Sequence, residues 1–126
     1  MIKGIGTDIL SIDKLTPIFE KEDYLNDSFV RKTYTEGEIA LAESRPLPIY
    51  CYATRFAGKE AVFKALTVTG EDLHLYEIEI LSDETGKPYV TLHGQALLLA
   101  QKKEISQVLI SLSYEDNTAI AFAVAD

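Results

Sequence analysis

The sequence predicts an α+β fold in which an antiparallel sheet packs on one long helix accompanied by short helices. Three observations predict it. From about Ile49 to Leu66 the chain keeps helical spacing, with Tyr52, Phe56 and Phe63 on one stripe of a 100° wheel. Leu73–Leu81 and Pro88–His93 alternate around the turn Ser82–Lys87, and Val108–Tyr114 and Thr118–Ala125 alternate around Glu115-Asp116-Asn117, the pattern of two hairpins. Between residues 13 and 44 the apolar pattern comes in pieces that suit only brief helices.

Taken in order, Ile2–Leu10 reads as a strand. Gly4, Gly6 and Asp8 share one parity, and Ile5 and Ile9 the other. The glycines leave room for a backbone or a ligand on the Asp8 side. Short helices follow at Asp13–Phe19, Ser28–Tyr34 and Thr35–Ser44, the last opening with Thr35-x-x-Glu38, a capping-box pattern. Pro46 and Pro48 break the chain, and Pro48 falls near the first turn of the long helix, where proline is tolerated. Gly70 marks the exit loop, Gly86 supplies a positive φ in the first hairpin, and Gln95–Lys103 reads as a helix.

At 126 residues the chain is expected to form one domain, residues 1–126. Its 47% hydrophobic and 25% charged content suits a soluble globule with a real core. No apolar run approaches the ~18 residues that span a membrane. The opening MIKGIGTDI lacks the form of a signal peptide, and the lone Cys51 cannot close an internal disulfide, so the cytoplasm is the expected compartment. A net charge of −8 argues against nucleic acid as a partner.

The chemistry concentrates in two segments, GIGTDIL and RFAGKEAVFKAL. Asp8 sits among glycines and apolar residues, and Glu60 borders an aromatic stripe; a carboxylate in either setting calls for a partner. One from each segment could hold a hard cation such as magnesium, which takes oxygen ligands and leaves positions open for phosphate and water. Lys64, one turn from Glu60, would then suit a phosphate. Taken singly, Asp8 reads first as a strand-end cap, and Glu60–Lys64 as an ordinary helix-surface pair. His74 and His93 lack further ligands at metal-binding spacing, and no glycine-rich phosphate loop is present.

The two segments, about fifty residues apart, are joined in the same order by FVRKTYTEGE, YEIEI, GKPYVTLHG, VLISLS and AIAFAVA. This set resembles the holo-acyl-carrier-protein synthases, the small 4′-phosphopantetheinyl transferases, over most of the chain. The resemblance implies transfer of the phosphopantetheine arm of coenzyme A to a serine of an acyl carrier protein, releasing adenosine 3′,5′-bisphosphate. It implies one magnesium ion on Asp8 and Glu60, with Glu60 the candidate base and Lys64 balancing charge on the leaving phosphate. Arg55, Lys59, Lys64, Thr67 and Tyr114 become candidate coenzyme contacts; for Lys59 a solvent-facing role is the alternative. Lys14 and Arg31, with Lys32, are the cations available to dock an acidic carrier protein. The family's small members are homotrimers with sites between subunits.

Three positions depart from the family pattern. Thr67-Val68-Thr69-Gly70 stands where Gly-Thr-Gly is usual, Tyr114 where a histidine is common, and Lys14 where an arginine often docks the carrier. Tyr114 can donate a hydrogen bond but cannot do histidine's acid–base work near neutral pH. A fold-retaining protein that binds coenzyme A or the carrier without transfer, and an unrelated magnesium-dependent phosphohydrolase, are the alternatives.

Overall fold

The computed structural model describes residues 1–126. Its elements are β1 (Gly4–Ser11), α1 (Thr16–Phe19), α2 (Ser28–Thr33), α3 (Glu36–Glu43), α4 (Pro48–Ala65), β2 (Ile78–Ser82), β3 (Pro88–Leu92), α5 (Gly94–Lys102), β4 (Val108–Glu115) and β5 (Thr118–Ala125). The first and last strands pair: β1, β5 and β4 form an antiparallel sheet in that order, and β2 and β3 form a separate hairpin.

Small residues decide how α4 meets the larger sheet. Ala53, Ala57, Ala61 and Ala65 recur every fourth position and form one fully buried stripe of the helix. Ala119, Ala121, Ala123 and Ala125 alternate along β5 and are equally buried. In register beside them stand Leu10, Asp8, Gly6 and Gly4 of β1. With so little side chain on either surface, backbone approaches backbone. A Cβ on Gly4 would lie 2.1 Å from the Ala65 carbonyl oxygen, so only glycine fits. α4 runs diagonally across this sheet: Gly58 lies against Leu112 of β4, and Ala61 and Ala65 lie over Gly6 and Gly4 of β1.

A second apolar cluster fills the space under α2, α3 and the start of α4. Phe19 stacks on Tyr52 at 4.4 Å between ring centroids, and Tyr34 meets Tyr52 edge-on at 4.9 Å. The polar ends of this cluster are satisfied, since the Tyr52 and Tyr24 hydroxyls both donate to Glu43. The Thr35–Glu38 capping box opens α3 as expected.

The outer edge of β2 has no neighbouring strand, and side chains close it instead. The Ile80 amide donates to Glu38 Oε2 at 2.8 Å, and Arg55 Nε donates to the Ile80 carbonyl at 3.3 Å. Lys59 Nζ donates to the Ile78 carbonyl. Main-chain groups that would otherwise be buried without partners are thereby paired.

Two elements differ from expectation. The strand expected at Leu73–Leu81 begins only at Ile78, because Leu75–Glu77 makes a 3₁₀ turn whose Leu75 carbonyl accepts from Lys59. The helix expected at Asp13–Phe19 is a 3₁₀ turn at Ile12–Lys14 followed by the four residues of α1. Pro17 has no amide to continue one helix through both.

Candidate active site

Asp8 projects from the β1 face that α4 covers, with Leu10 on one side of it and Gly6 and Gly4 on the other, where the helix backbone passes close. Two residues of α4 meet it there. Lys64 Nζ donates to the Thr7 carbonyl at 2.8 Å and reaches Asp8 Oδ1 at 3.4 Å. Glu60, one turn earlier, is half-buried, and its carboxyl is pushed above the ordinary carboxylate range. Burial is the largest cause and the negative charge of Asp8 the next, while Lys64 pulls the other way. Two carboxylates and one cation thus lie within range of one another's charge where the strand meets the helix. The arrangement carries surplus negative charge in a partly desolvated spot, which favours a bound cation.

The residues fit magnesium in number as well as in charge. No group of three or more His, Cys, Asp or Glu side chains gathers anywhere in the chain. Magnesium is held by one or two carboxylates and keeps the rest of its shell for water and substrate phosphate, so two ligands suffice.

A second polar region lies on the other half of α4. Arg45, Pro46, Leu47, Tyr50, Cys51, Thr54, Arg55 and Tyr114 line a cleft of about 270 Å³. A smaller adjoining cleft shares Arg45, Arg55 and Tyr114 and adds Ser82 and Ser113. Arg55 is largely buried, its Nη2 donating to Ser82 Oγ at 2.7 Å, so the guanidinium is fixed in the wall. Tyr114 stacks on Tyr50 with ring centroids 4.7 Å apart. Arg45 and Tyr50 escaped the sequence reading. Arg45 precedes the helix in a proline-broken loop, and Tyr50 falls outside the aromatic stripe. Two arginines and two tyrosines form a surface suited to an anionic, aromatic ligand. Neither Asp8 nor Glu60 lines this cleft, and Glu60 lies roughly 7.5 Å further along the helix axis than Arg55.

Lys59 corrects the expectation. It is neither a coenzyme contact nor a solvent-facing lysine, because its side chain is completely buried and its Nζ lies 2.7 Å from Glu38 Oε1. Its remaining donors go to the Leu75 and Ile78 carbonyls, so no proton is left for a phosphate. Thr67 follows the end of α4 with φ 53°, the left-handed region, and its carbonyl accepts from Lys103 Nζ at 2.7 Å. Of the cations proposed for docking, Lys14 is exposed, whereas Arg31 is already tied to Glu36 at 2.6 Å and to the Leu25 carbonyl. Lys32 is exposed as well.

Residues 4–123 match the 4′-phosphopantetheinyl transferase superfamily. A holo-[acyl-carrier-protein] synthase of Alkaliphilus oremlandii is 41% identical over 99% of both chains. Among solved structures, the Neisseria meningitidis holo-[acyl-carrier-protein] synthase superposes with a TM-score of 0.84 at 35% identity, covering 100% of this chain and 99% of its own. The Helicobacter pylori enzyme, solved in complex with coenzyme A, gives 0.80 at 28% identity over 97% of this chain and 99% of its own. Full-length likeness in sequence and in fold makes the assignment: this chain belongs to the holo-[acyl-carrier-protein] synthases of the 4′-phosphopantetheinyl transferase superfamily.

Proposed function

We infer that this chain transfers the 4′-phosphopantetheine arm of coenzyme A to a serine of an acyl carrier protein in a magnesium-dependent reaction. The observation that supports the reading is the approach of α4 to β1 across glycines, which puts Asp8 within charge range of Glu60 and beside Lys64. Asp8 and Glu60 would hold magnesium. When bound, the ion supplies charge neutralisation at the pyrophosphate of the coenzyme.

The protein's own groups do the rest. In the transfer the serine Oγ forms a bond to the phosphorus that carries the pantetheine, and the bond from that phosphorus to the nucleotide phosphate breaks. The serine proton would go to Glu60, the half-buried carboxylate beside Lys64. The leaving group departs as adenosine 3′,5′-bisphosphate, its new charge facing Lys64. Arg55, Arg45 and the Tyr50–Tyr114 pair suit the nucleotide end of coenzyme A, with Thr67 at the far end of the same helix. Lys14 and Lys32 are the cations left free for the carrier protein, since Arg31 is held by Glu36.

Assembly as a homotrimer completes this picture. The sheet face turned away from α4 exposes Ile5, Ile9, Leu109, Ile120 and Phe122, an apolar surface that a lone chain would leave in water. The Arg55–Tyr114 cleft and the Asp8–Glu60 pair occupy different parts of one chain, so a neighbour supplying one to the other would unite them in a single site.

Incubation with coenzyme A, magnesium and an apo carrier protein tests the function. A mass gain of one phosphopantetheine arm on the carrier serine is expected. Release of nucleotide or phosphate without that gain would make the protein a hydrolase, and no reaction would leave it a binding protein.

A further inference from the structure

The hydrogen bonds of the Glu38–Lys59 pair reach beyond their own two helices to β2 and the Leu75–Glu77 turn, and Lys59 is the residue next to Glu60. Glu38 Oε1 takes the Lys59 ammonium at 2.7 Å and the Thr35 amide at 2.9 Å, while Oε2 takes the Ile80 amide. Lys59 adds the carbonyls of Leu75 and Ile78. One buried pair therefore ties α3, α4, β2 and the Leu75–Glu77 turn together. The stripe of α4 that meets the larger sheet consists of alanine against alanine and glycine, which interlock weakly against sliding or rotation of the helix. Directional bonds are needed to fix both, and Lys59, with Arg55 one turn away on the Ile80 carbonyl, supplies them. A helix turned by its 100° per residue carries Glu60 wherever Lys59 is pinned.

We propose that the Glu38–Lys59 ion pair is a positioning device for the reaction, setting the rotation and register of α4 so that the Glu60 carboxylate faces Asp8. The pair touches neither substrate nor metal; it acts through Glu60. This rests on the magnesium reading of Asp8 and Glu60. A buried ion pair is a poor source of net stability, since exchanging both partners for apolar groups is often neutral. What the pair supplies is direction, through bonds to four backbone groups.

The test reads magnesium binding without turnover, as the rise in melting temperature of the unliganded protein titrated with magnesium chloride, with manganese EPR as a second probe. Lys59→Met strands the Glu38 charge, so the neutral pair Glu38→Gln/Lys59→Met is measured beside it, together with Glu38→Asp, which keeps both charges and shortens the anchor. The magnesium midpoint should rise roughly 10–100-fold in the neutral pair, as for loss of groups that orient metal ligands, and in the same direction for Glu38→Asp. With saturating magnesium, kcat should fall more than KM for coenzyme A changes. Wild-type midpoints in Glu38→Asp or in the neutral pair overturn the proposal, even where the melting temperature drops. Failure of the underlying reading looks different: the wild type itself would show no magnesium-dependent rise, or Asp8→Asn would keep it.

Discussion

Gly6 lies directly beneath Ala61, so close that a Cβ on Gly6 would stand 2.0 Å from the Ala61 carbonyl oxygen. The obstacle is backbone, which cannot swing aside as a side-chain tip can. Gly6→Ala must therefore lift α4 from β1 at the point where Asp8 and Glu60 meet. Overpacking of this kind should cost about 3 kcal/mol or more, read as a lower urea midpoint. Whatever folded protein remains should bind magnesium more weakly. An unchanged midpoint would mean that the helix does not rest on the glycines.

Lys64→Ala should lower kcat far more than it weakens coenzyme A binding. A charge contact made mainly in the transition state appears in kcat, whereas uniform binding appears in KM. The expected loss is about 3–4 kcal/mol, or two to three orders of magnitude in rate. Lys102, exposed on α5, is the control, and Lys102→Ala should leave turnover as it was. Equal small effects from the two substitutions would reduce Lys64 to a surface lysine.

Glu60 sets a pH dependence whose sign follows from its raised proton affinity. With its carboxyl held above the ordinary value of 4.5, first by burial and then by Asp8, its contribution to the metal-free fold is full below 4.5. That contribution is lost as pH rises through the elevated value. Magnesium, which needs the carboxylate, should bind with release of protons, and its affinity should fall as pH drops through the same window. Glu60→Gln should flatten the pH dependence of the metal-free melting temperature in that window. Calorimetry in two buffers of different ionisation enthalpy reads the proton release, and its absence would remove Glu60 from the metal site.

Phe122→Asp should disperse the proposed trimer while leaving the chain folded. Phe122 pairs with Thr7 and Ser111 across the exposed sheet face and has no role in the packing of α4. Light scattering should give a trimer mass for the wild type and a monomer mass for the variant, with transfer activity lost in parallel. A wild-type monomer with full activity would refute both the assembly and the shared site.

Thr67→Gly should stabilise the chain slightly. A β-branched residue at φ 53° carries about 1–2 kcal/mol of steric strain, against which glycine loses roughly 0.5–1 kcal/mol of backbone entropy. The net gain is therefore between about 0 and 1.5 kcal/mol in unfolding free energy, and a loss would mean that Lys103 holds the Thr67 conformation without strain.

Parity put Asp8 on the glycine face of β1 and helical spacing put Glu60 and Lys64 one turn apart on α4, whereas their roles rest on the family resemblance. The two hairpins were legible by parity as well. Lys59 was not. Its partners are a carboxylate on another helix and two carbonyls of a distant segment, and a helical wheel shows neither. The Leu75–Glu77 turn escaped because its alternation suits a strand, and only tertiary bonding to Lys59 makes it curl. Arg45 lies in an irregular loop where no period exists to place it.

The side chains that close the outer edge of β2 also decide how this protein behaves in a crowd. An open strand edge is a template onto which another chain can add a strand of its own. Here the Ile80 amide and the Ile78 and Ile80 carbonyls are already taken, by a carboxylate, an ammonium and a guanidinium that no approaching peptide can displace without burying bare charge. Opening that edge would create a sticky surface as well as a loosened helix. Variants at Glu38 or Lys59 should therefore turn turbid on storage sooner than the wild type.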